Sequence, residues 1–505
     1  MRILELKITN HLSILENFEW KSDKSINVFI GENGSGKSTL LRHLIEIFKS
    51  SYEYFVEENK NTVTPYFDFY IKYEAIVNNT IDTFEYETNY VAIELIGDRN
   101  DKKYWNLKIN NSKYSQDEIL KKFGFKSIFP ENLITYYAGW DSSIKAQFLD
   151  VETRYKENAL GNYKGLNTSN KLDTAFSTID NLPLINIDKI HFNILLSVLF
   201  SFEFNSRVDS FLISKFNIVK EEKSTIAVHI NKPQENYYTN DKSNFWGARG
   251  EIANFLLMLR EFSSNFAGEE ETKKGKVFIF DTNSWYRLKD YYLTEKRLYS
   301  YLHLLNSSGF LGNIQVFFTK DSKSISNFHL SEGEQQLLTI FAIKEVLVQT
   351  NSLVILDEPD TFLHPKWQER FITELEEDLQ FNRSEDLPFH NEPNFFITTH
   401  SLNLLNNSST DNTSVTILKN GKVLTSVNNF YGRTIRSINY DLMGVTERPS
   451  EVIKKINELF NNIENEDIKS SEKLLHILID IIGADDEELI RAKAEIDLLK
   501  ILKDD

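Results

Sequence analysis

The stretch from residue 26 to residue 48 constrains the fold more than any other. Ile26-Asn27-Val28-Phe29-Ile30 is a nearly continuous apolar run, the pattern of a strand covered on both faces. It passes directly into Gly31-Glu32-Asn33-Gly34-Ser35-Gly36-Lys37-Ser38-Thr39, and apolar residues then recur at helical spacing at Leu40, Leu41, Leu44, Ile45 and Phe48. Buried strand, glycine loop and helix together form the Walker A pattern in its proper context. The backbone amides of Asn33, Gly34, Ser35, Gly36 and Lys37 are expected to point at phosphate oxygens from a helix N-terminus. Glycine supplies the dihedrals such a loop needs. Lys37 is expected between the β- and γ-phosphates of ATP, with Ser38 on Mg²⁺ and Thr39 completing the nucleotide-binding set.

Three further motifs lie far downstream. Leu353-Val354-Ile355-Leu356-Asp357-Glu358-Pro359 fits Walker B, a buried strand projecting Asp357 toward the metal. Glu358, the next residue, points the other way and is placed to orient or deprotonate the attacking water. Asn394-Phe395-Phe396-Ile397 is a second buried run ending in Thr398-Thr399-His400-Ser401, which puts His400 at a strand end where ligands of parallel sheets sit. Leu330-Ser331-Glu332-Gly333-Glu334-Gln335-Gln336 resembles the signature motif of ABC-type ATPases. That resemblance implies catalytic roles for Glu358 and His400, the latter as a switch histidine sensing the γ-phosphate. It also implies that Ser331, Gly333 and Glu334 act in trans, closing over the nucleotide of a second head. Ser331 is equally suited to N-cap the helix that follows. Asp360-Thr361-Phe362-Leu363-His364-Pro365 occupies the D-loop position, with His364 where transporter ATPases typically carry aspartate. The Leu363-His364-Pro365 form resembles RecF-like and OLD-like ATPases instead. No glutamine is assigned to the Q-loop, and Gln147 is the nearest to the expected strand end.

A chain of 505 residues is expected to form roughly two to four structural units. Hydrophobic residues at 41% and charged residues at 26% fit an ordinary globular protein. The absence of cysteine excludes disulfides, thiolate zinc sites and cysteine nucleophiles. The net charge of −17 argues against non-specific DNA binding by the whole surface, while leaving room for a local basic groove. The start alternates apolar and charged residues like a strand, unlike a signal peptide. The longest apolar stretch, near Phe192 to Phe202, is about half the roughly 20 residues of a membrane helix. A cytoplasmic protein without membrane contact is expected.

The expected fold class is α/β, an ABC-type P-loop ATPase head with inserted antiparallel β and α/β regions and a C-terminal helical tail. The domain reading is a Walker A lobe at 1–150 with an inserted β-sheet at about 55–130. A mixed, mainly helical insertion at 151–325 follows, then a second ATPase lobe at 326–430 and a helical bundle at 431–505. Within the insertion, Asn193–Ser201 and Gly250–Phe262 read as helices and Lys276–Phe280 as a strand, with a charged turn at Gly268–Gly275. No repeat and no long heptad pattern occurs there. Ser450 is expected to cap the first tail helix.

Tyr431-Gly432-Arg433, Leu442-Met443-Gly444-Val445, Glu447-Arg448-Pro449 and Asp485-Asp486-Glu487-Glu488-Leu489-Ile490-Arg491-Ala492 together resemble the tail of one group of bacterial ATPases. This group includes the ATPase subunits of Septu and of retron-linked anti-phage systems. Head motifs and tail cover roughly half of the chain. The resemblance implies an ATPase using ATP and Mg²⁺, a dimer or higher homo-oligomer, and a separate HNH nuclease partner. Nucleic acid would be met through that complex. No Toprim or HNH constellation is present in this chain, so the cutting chemistry is assigned to the partner. Two rival readings remain open: a RecF-like repair ATPase that binds DNA directly, and a defence scaffold or sensor ATPase with another effector.

Overall fold

The computed structural model describes the chain apart from residues 10–13, 56–62, 79–87, 101–103, 115–117, 119–127, 140–142, 160–183, 235–237, 265, 382–391, 406, 408, 410, 428–447 and 505. Tyr431, Gly432, Arg433, Leu442 to Val445 and Glu447 of the tail motif lie outside the described residues. The chain divides into two compact units, Met1–Gly432 and Arg433–Asp505.

The apolar runs read from the sequence assemble side by side into one sheet. Its order is Lys422–Val427, Thr413–Lys419, Ile26–Ile30, Asn394–Thr399, Leu353–Asp357, Leu133–Tyr137 and Leu184–Ile187. Every neighbouring pair is parallel except the first. All residues of Ile26–Ile30, Leu353–Asp357 and Asn394–Thr399 are buried, as expected of strands covered on both faces. Asn27, the polar residue inside its strand, is satisfied by Ser414 Oγ at 2.7 Å and the Lys24 carbonyl at 3.1 Å.

A second sheet is antiparallel, ordered Phe18–Lys21, Arg2–Thr9, Asp68–Asn78, Thr88–Gly97, Trp105–Ile109 and Ser112–Lys113. Arg2–Thr9 and Phe18–Lys21 belong to it, so this sheet extends beyond the 55–130 insert read from the sequence. The P-loop helix, Lys37–Phe55, shares one core with both sheets. Its Leu40, Leu44 and Phe48 join Ile71 and Leu95 of the antiparallel sheet and Ile355 and Phe396 of the parallel one.

The strand Leu184–Ile187 belongs to the head sheet although it lies beyond residue 150, where the first lobe was expected to end. Four residues, three of them apolar, are too few to distinguish strand from helix by period. The remainder of the insertion combines helices such as Gly250–Ser263 and Glu295–Ser307 with a six-stranded antiparallel sheet. That sheet runs Ile218–Val219, Leu311–Lys320, Thr225–Asn231, Gly275–Asp281 and Gly268–Glu271, with Lys323–Ser326 on Leu311–Lys320. The expected charged turn is therefore half edge strand. Gly268–Glu271 pairs with Gly275–Asp281, and Glu269 is held by Lys276 and, at 2.8 Å, by Arg260. Three cross-strand or cross-element charges offset one another there, which a sequence count of charges does not reveal.

Insertion helices reach back to the head. Helix Arg207–Phe216 stacks Phe216 on Trp367 and Phe211 on Phe341, and Lys215 Nζ meets Glu374 at 2.5 Å. Phe341 lies on helix Glu332–Ala342, and Trp367 and Glu374 on helix Pro365–Phe381.

The second unit holds three helices, Ser450–Glu464, Ile468–Ile482 and Glu487–Asp504. Ile456, Leu459, Leu475, Leu478, Leu489 and Ile496 form its core. Ser450 is the first helical residue rather than the cap, because Pro449 takes the cap position without a side-chain bond. Asp486 pairs with Arg448 at 2.8 Å, so part of the acidic tail motif is structural.

Candidate nucleotide-binding site

The carboxyl ends of Ile26–Ile30, Leu353–Asp357 and Asn394–Thr399 are adjacent in the sheet, so the loops that follow them converge. The first is the glycine loop. Gly36 has φ +104°, a conformation that L side chains rarely adopt, and a Cβ there would press on Leu15 at 3.1 Å and Ile14 at 3.3 Å. The loop is also fastened from outside: Gly421 N donates to the Ser35 carbonyl at 2.9 Å from the tip of the 413–427 hairpin. Nothing in the local sequence around residue 35 signals that contact.

Lys37 Nζ donates to the carbonyls of Gly31 at 2.8 Å and Glu32 at 3.2 Å. The same nitrogen lies 2.9 Å from His400 Nε2, and His400 Nε2 lies 3.1 Å from Glu358 Oε1. Burial lowers the Lys37 pKa below the usual lysine range, and nearby Glu358 and Asp357 oppose this. Burial and then the Lys37 cation lower His400 below the ordinary imidazole value, against Glu358. Lys37, Glu358 and His400 thus meet around one point although their positions in the sequence are far apart.

Asp357 is buried at the end of its strand, with Oδ1 accepting from Ser38 Oγ at 3.2 Å and from Thr398 Oγ1. Its other oxygen, Oδ2, is buried without a hydrogen-bond partner among the described residues, and burial raises the Asp357 pKa. A buried carboxylate oxygen left unpaired is costly. A hydroxyl and a carboxylate with one free oxygen, facing a lysine and a glycine loop, fit a divalent cation shared with phosphate oxygens. Asp357 and Ser38 are the residues that would hold it.

Glu358 adopts φ +52°, an uncommon conformation for a non-glycine residue. Its N–H donates to the Thr398 carbonyl at 3.0 Å and its own carbonyl accepts from Thr361 N at 3.3 Å. The left-handed turn directs the carboxylate away from Asp357 and toward His400. Next in the chain, Asp360 is buried with Oδ2 accepting from Thr399 Oγ1 at 2.9 Å. Burial pushes the Asp360 pKa up to about 6.

Ser331, Gly333 and Glu334 are grouped apart from these residues. Ser331 N-caps helix Glu332–Ala342 and forms a reciprocal capping box with Glu334, whose carboxylate also pairs with Lys320 at 2.5 Å. A Cβ on Gly333 would sit 2.7 Å from the Phe362 carbonyl, so the glycine admits the D-loop backbone of its own chain. Gln147 amide nitrogen contacts the Arg42 carbonyl at 3.3 Å and Glu46 at 3.5 Å, on the P-loop helix rather than at Lys37 or Asp357. The side chains of Asn33 and Thr39 make no hydrogen bond to Lys37, Asp357, Glu358 or His400 among the described residues, and the Ser35 hydroxyl is buried without a partner. Thr398, Thr399, Asp360 and Gln336 lie inside motifs read from the sequence but were given no role there, because their importance comes from tertiary neighbours.

Sheet order, glycine loop and converging carboxylates make the arrangement of a P-loop nucleotide-binding head. Residues 195–406 match the family described as "AAA domain, putative AbiEii toxin, Type IV TA system". Over 255 residues the chain is 28% identical to the "Retron Ec83 probable ATPase" of Escherichia coli, covering 47% of this chain and 44% of that one. The chain thus spans less than half the length of that relative. Both matches agree with the resemblance to bacterial defence ATPases. Among solved structures, the SMC head domain from Thermotoga maritima gives a TM-score of 0.32 at 13% identity, over 85% of this chain and 98% of that one. RecF with ATP gives a TM-score of 0.32 at 13% identity, over 84% and 99%. Among the described residues, no helix is long and apolar enough to cross a membrane.

Proposed function

We propose that this chain is the ATP-binding and ATP-hydrolysing subunit of a bacterial anti-phage defence complex, controlling a separate nuclease of the HNH type. The observation that carries the reading is the convergence of Lys37, Ser38, Asp357, Glu358 and His400 on one glycine loop. The retron ATPase similarity supports the defence context.

Lys37 leaves the Gly31 and Glu32 carbonyls to engage the β- and γ-phosphates. Ser38 and Asp357 would hold Mg²⁺, which would supply positive charge against the negative charge developing on the phosphates. Glu358 orients the attacking water and accepts its proton. His400, freed from Lys37, contacts the γ-phosphate and reports its presence to the Thr398–Thr399 strand end. The exposed hydroxyl of Ser331, at a helix N-terminus, faces the nucleotide of a second head, so two chains sandwich ATP. Hydrolysis reopens the pair.

Co-purification of the tagged chain with its native gene neighbours under ATP and Mg²⁺, with the mass of the complex measured, tests this. Several copies of the chain with a small HNH protein are expected. Recovery with duplex DNA and repair proteins, and no nuclease partner, would overturn it.

A further inference from the structure

Gln336 is buried at 3% exposure, and both ends of its amide are engaged by one loop. Its Nε2 donates to the Pro359 carbonyl at 2.5 Å, and its Oε1 accepts from Phe362 N at 3.2 Å. Those two residues bracket the loop that follows Glu358. One helical turn earlier, Gly333 lacks the Cβ that would strike the Phe362 carbonyl. The two positions are three apart and share a helix face. Helix Glu332–Ala342 therefore grips this loop at two points.

The loop is gripped from its other side as well. Asp360 Oδ2 accepts from Thr399 Oγ1, and Thr399 precedes His400. Gln368 Nε2 donates to the Asp360 carbonyl at 3.0 Å and to that of Leu363 at 3.1 Å. Its Oε1 accepts from Ser401 Oγ at 2.9 Å, immediately after His400. An unbroken hydrogen-bonded path thus runs from the helix capped by Ser331, through Gln336 and the loop, to both neighbours of His400.

We infer that Gln336 is a positioning residue that couples the two nucleotide sites of a head pair. A displacement of the Ser331 helix, caused by nucleotide on the opposite head, would move Pro359 and Phe362 through the Gln336 amide. It would thereby reset Glu358 and His400 over the chain's own nucleotide. This inference rests on the two-head reading above. A planar amide is suited to the task because it donates and accepts in fixed directions, so neither neighbour can shift without the other.

The test compares wild type with Gln336→Met, which keeps side-chain length and loses both bonds, and with Gln336→Glu, which loses the donor alone. ATP binding to the single head is measured with Mg²⁺, alongside turnover against ATP concentration and thermal unfolding. Both variants are expected to bind ATP within twofold of wild type and to melt within a few degrees of it. Their maximal turnover is expected to fall about tenfold or more and their Hill coefficient to fall to 1, a combination that loss of packing alone does not produce. Variants with wild-type turnover and cooperativity would overturn the coupling role. So would an ATP-affinity loss as large as the turnover loss, which would make Gln336 a support of its own site only. If wild type itself never pairs under ATP, the two-head reading fails first and the coupling inference fails with it.

Discussion

His400 Nε2 lies between the Lys37 ammonium, 2.9 Å away, and the Glu358 carboxylate, 3.1 Å away. One nitrogen cannot serve both: unprotonated it accepts a hydrogen bond from Lys37, and protonated it donates one to Glu358. The Lys37 cation and burial favour the neutral ring, and Glu358 opposes them. Removing Lys37 therefore raises the His400 pKa, and removing the Glu358 charge lowers it further. In ¹³C-histidine NMR titrations of the nucleotide-free protein, the midpoint should move up in Lys37→Ala and down in Glu358→Gln. Midpoints that stay fixed in both variants would show that the three groups are not coupled.

Lys37→Ala should abolish ATP binding, since the cation that donates to the glycine loop's carbonyls is lost. Glu358→Gln should keep binding and lose turnover by roughly 10²–10⁴-fold, the usual contribution of a positioned base. That variant should accumulate as a closed pair with ATP, seen as doubled mass in light scattering. Normal turnover by Glu358→Gln would remove Glu358 from the mechanism.

Gly333→Ala places a methyl 2.7 Å from the Phe362 carbonyl, a backbone atom that cannot swing aside as a side chain does. The expected cost is about 1–3 kcal/mol, typical of overpacking. Urea denaturation should show it, while ATP affinity of the single head stays near wild type because Lys37 and Ser38 are untouched. An unchanged midpoint would mean that the D-loop lies farther from the helix than described.

His303 is buried in the insertion, 3.0 Å from His191 Nε2 and stacked on Tyr299. Burial, and then His191, lower its pKa from 6.5 to about 3. As pH falls below 6.5, the unfolded chain takes up a proton here and the folded chain does not. Stability is therefore full above that pH and falls by about 1.4 kcal/mol per pH unit toward pH 3. His303→Phe keeps a ring against Tyr299 and removes the proton uptake. Between pH 7.5 and 5.5, its urea midpoint should drop less than that of wild type, and an equal drop would contradict the buried neutral state.

Legibility followed the range of the interactions involved. Ile26–Ile30, Leu353–Asp357 and Asn394–Thr399 were readable because a strand buried on both faces needs an apolar run. Lys37, Asp357, Glu358 and His400 were readable because their spacing from those strands carries the chemistry. The capping box of Ser331 and Glu334 was half readable, since its partners are three residues apart. Gln336, Asp360 and Thr399 stood inside readable motifs but their roles were silent: their partners lie 23 to 39 residues away and become neighbours only in the folded head. The insertion's sheet was missed for a related reason. Strands such as Thr225–Asn231 pair with Leu311–Lys320 across three intervening α-helices, and no short window shows that pairing.

The placement of Ile26–Ile30 between Asn394–Thr399 and Thr413–Lys419 also has a consequence during synthesis. The strand that carries the glycine loop leaves the ribosome long before either of its sheet neighbours exists. At ~5–20 residues per second, the wait is on the order of tens of seconds. Throughout that interval an apolar strand with two open edges is available for wrong pairing. The antiparallel partners of Arg2–Thr9, made early, give the nascent chain something to fold against. The nucleotide loop itself stays incomplete until the Gly421 hairpin tip arrives, after nearly the whole first unit has been translated.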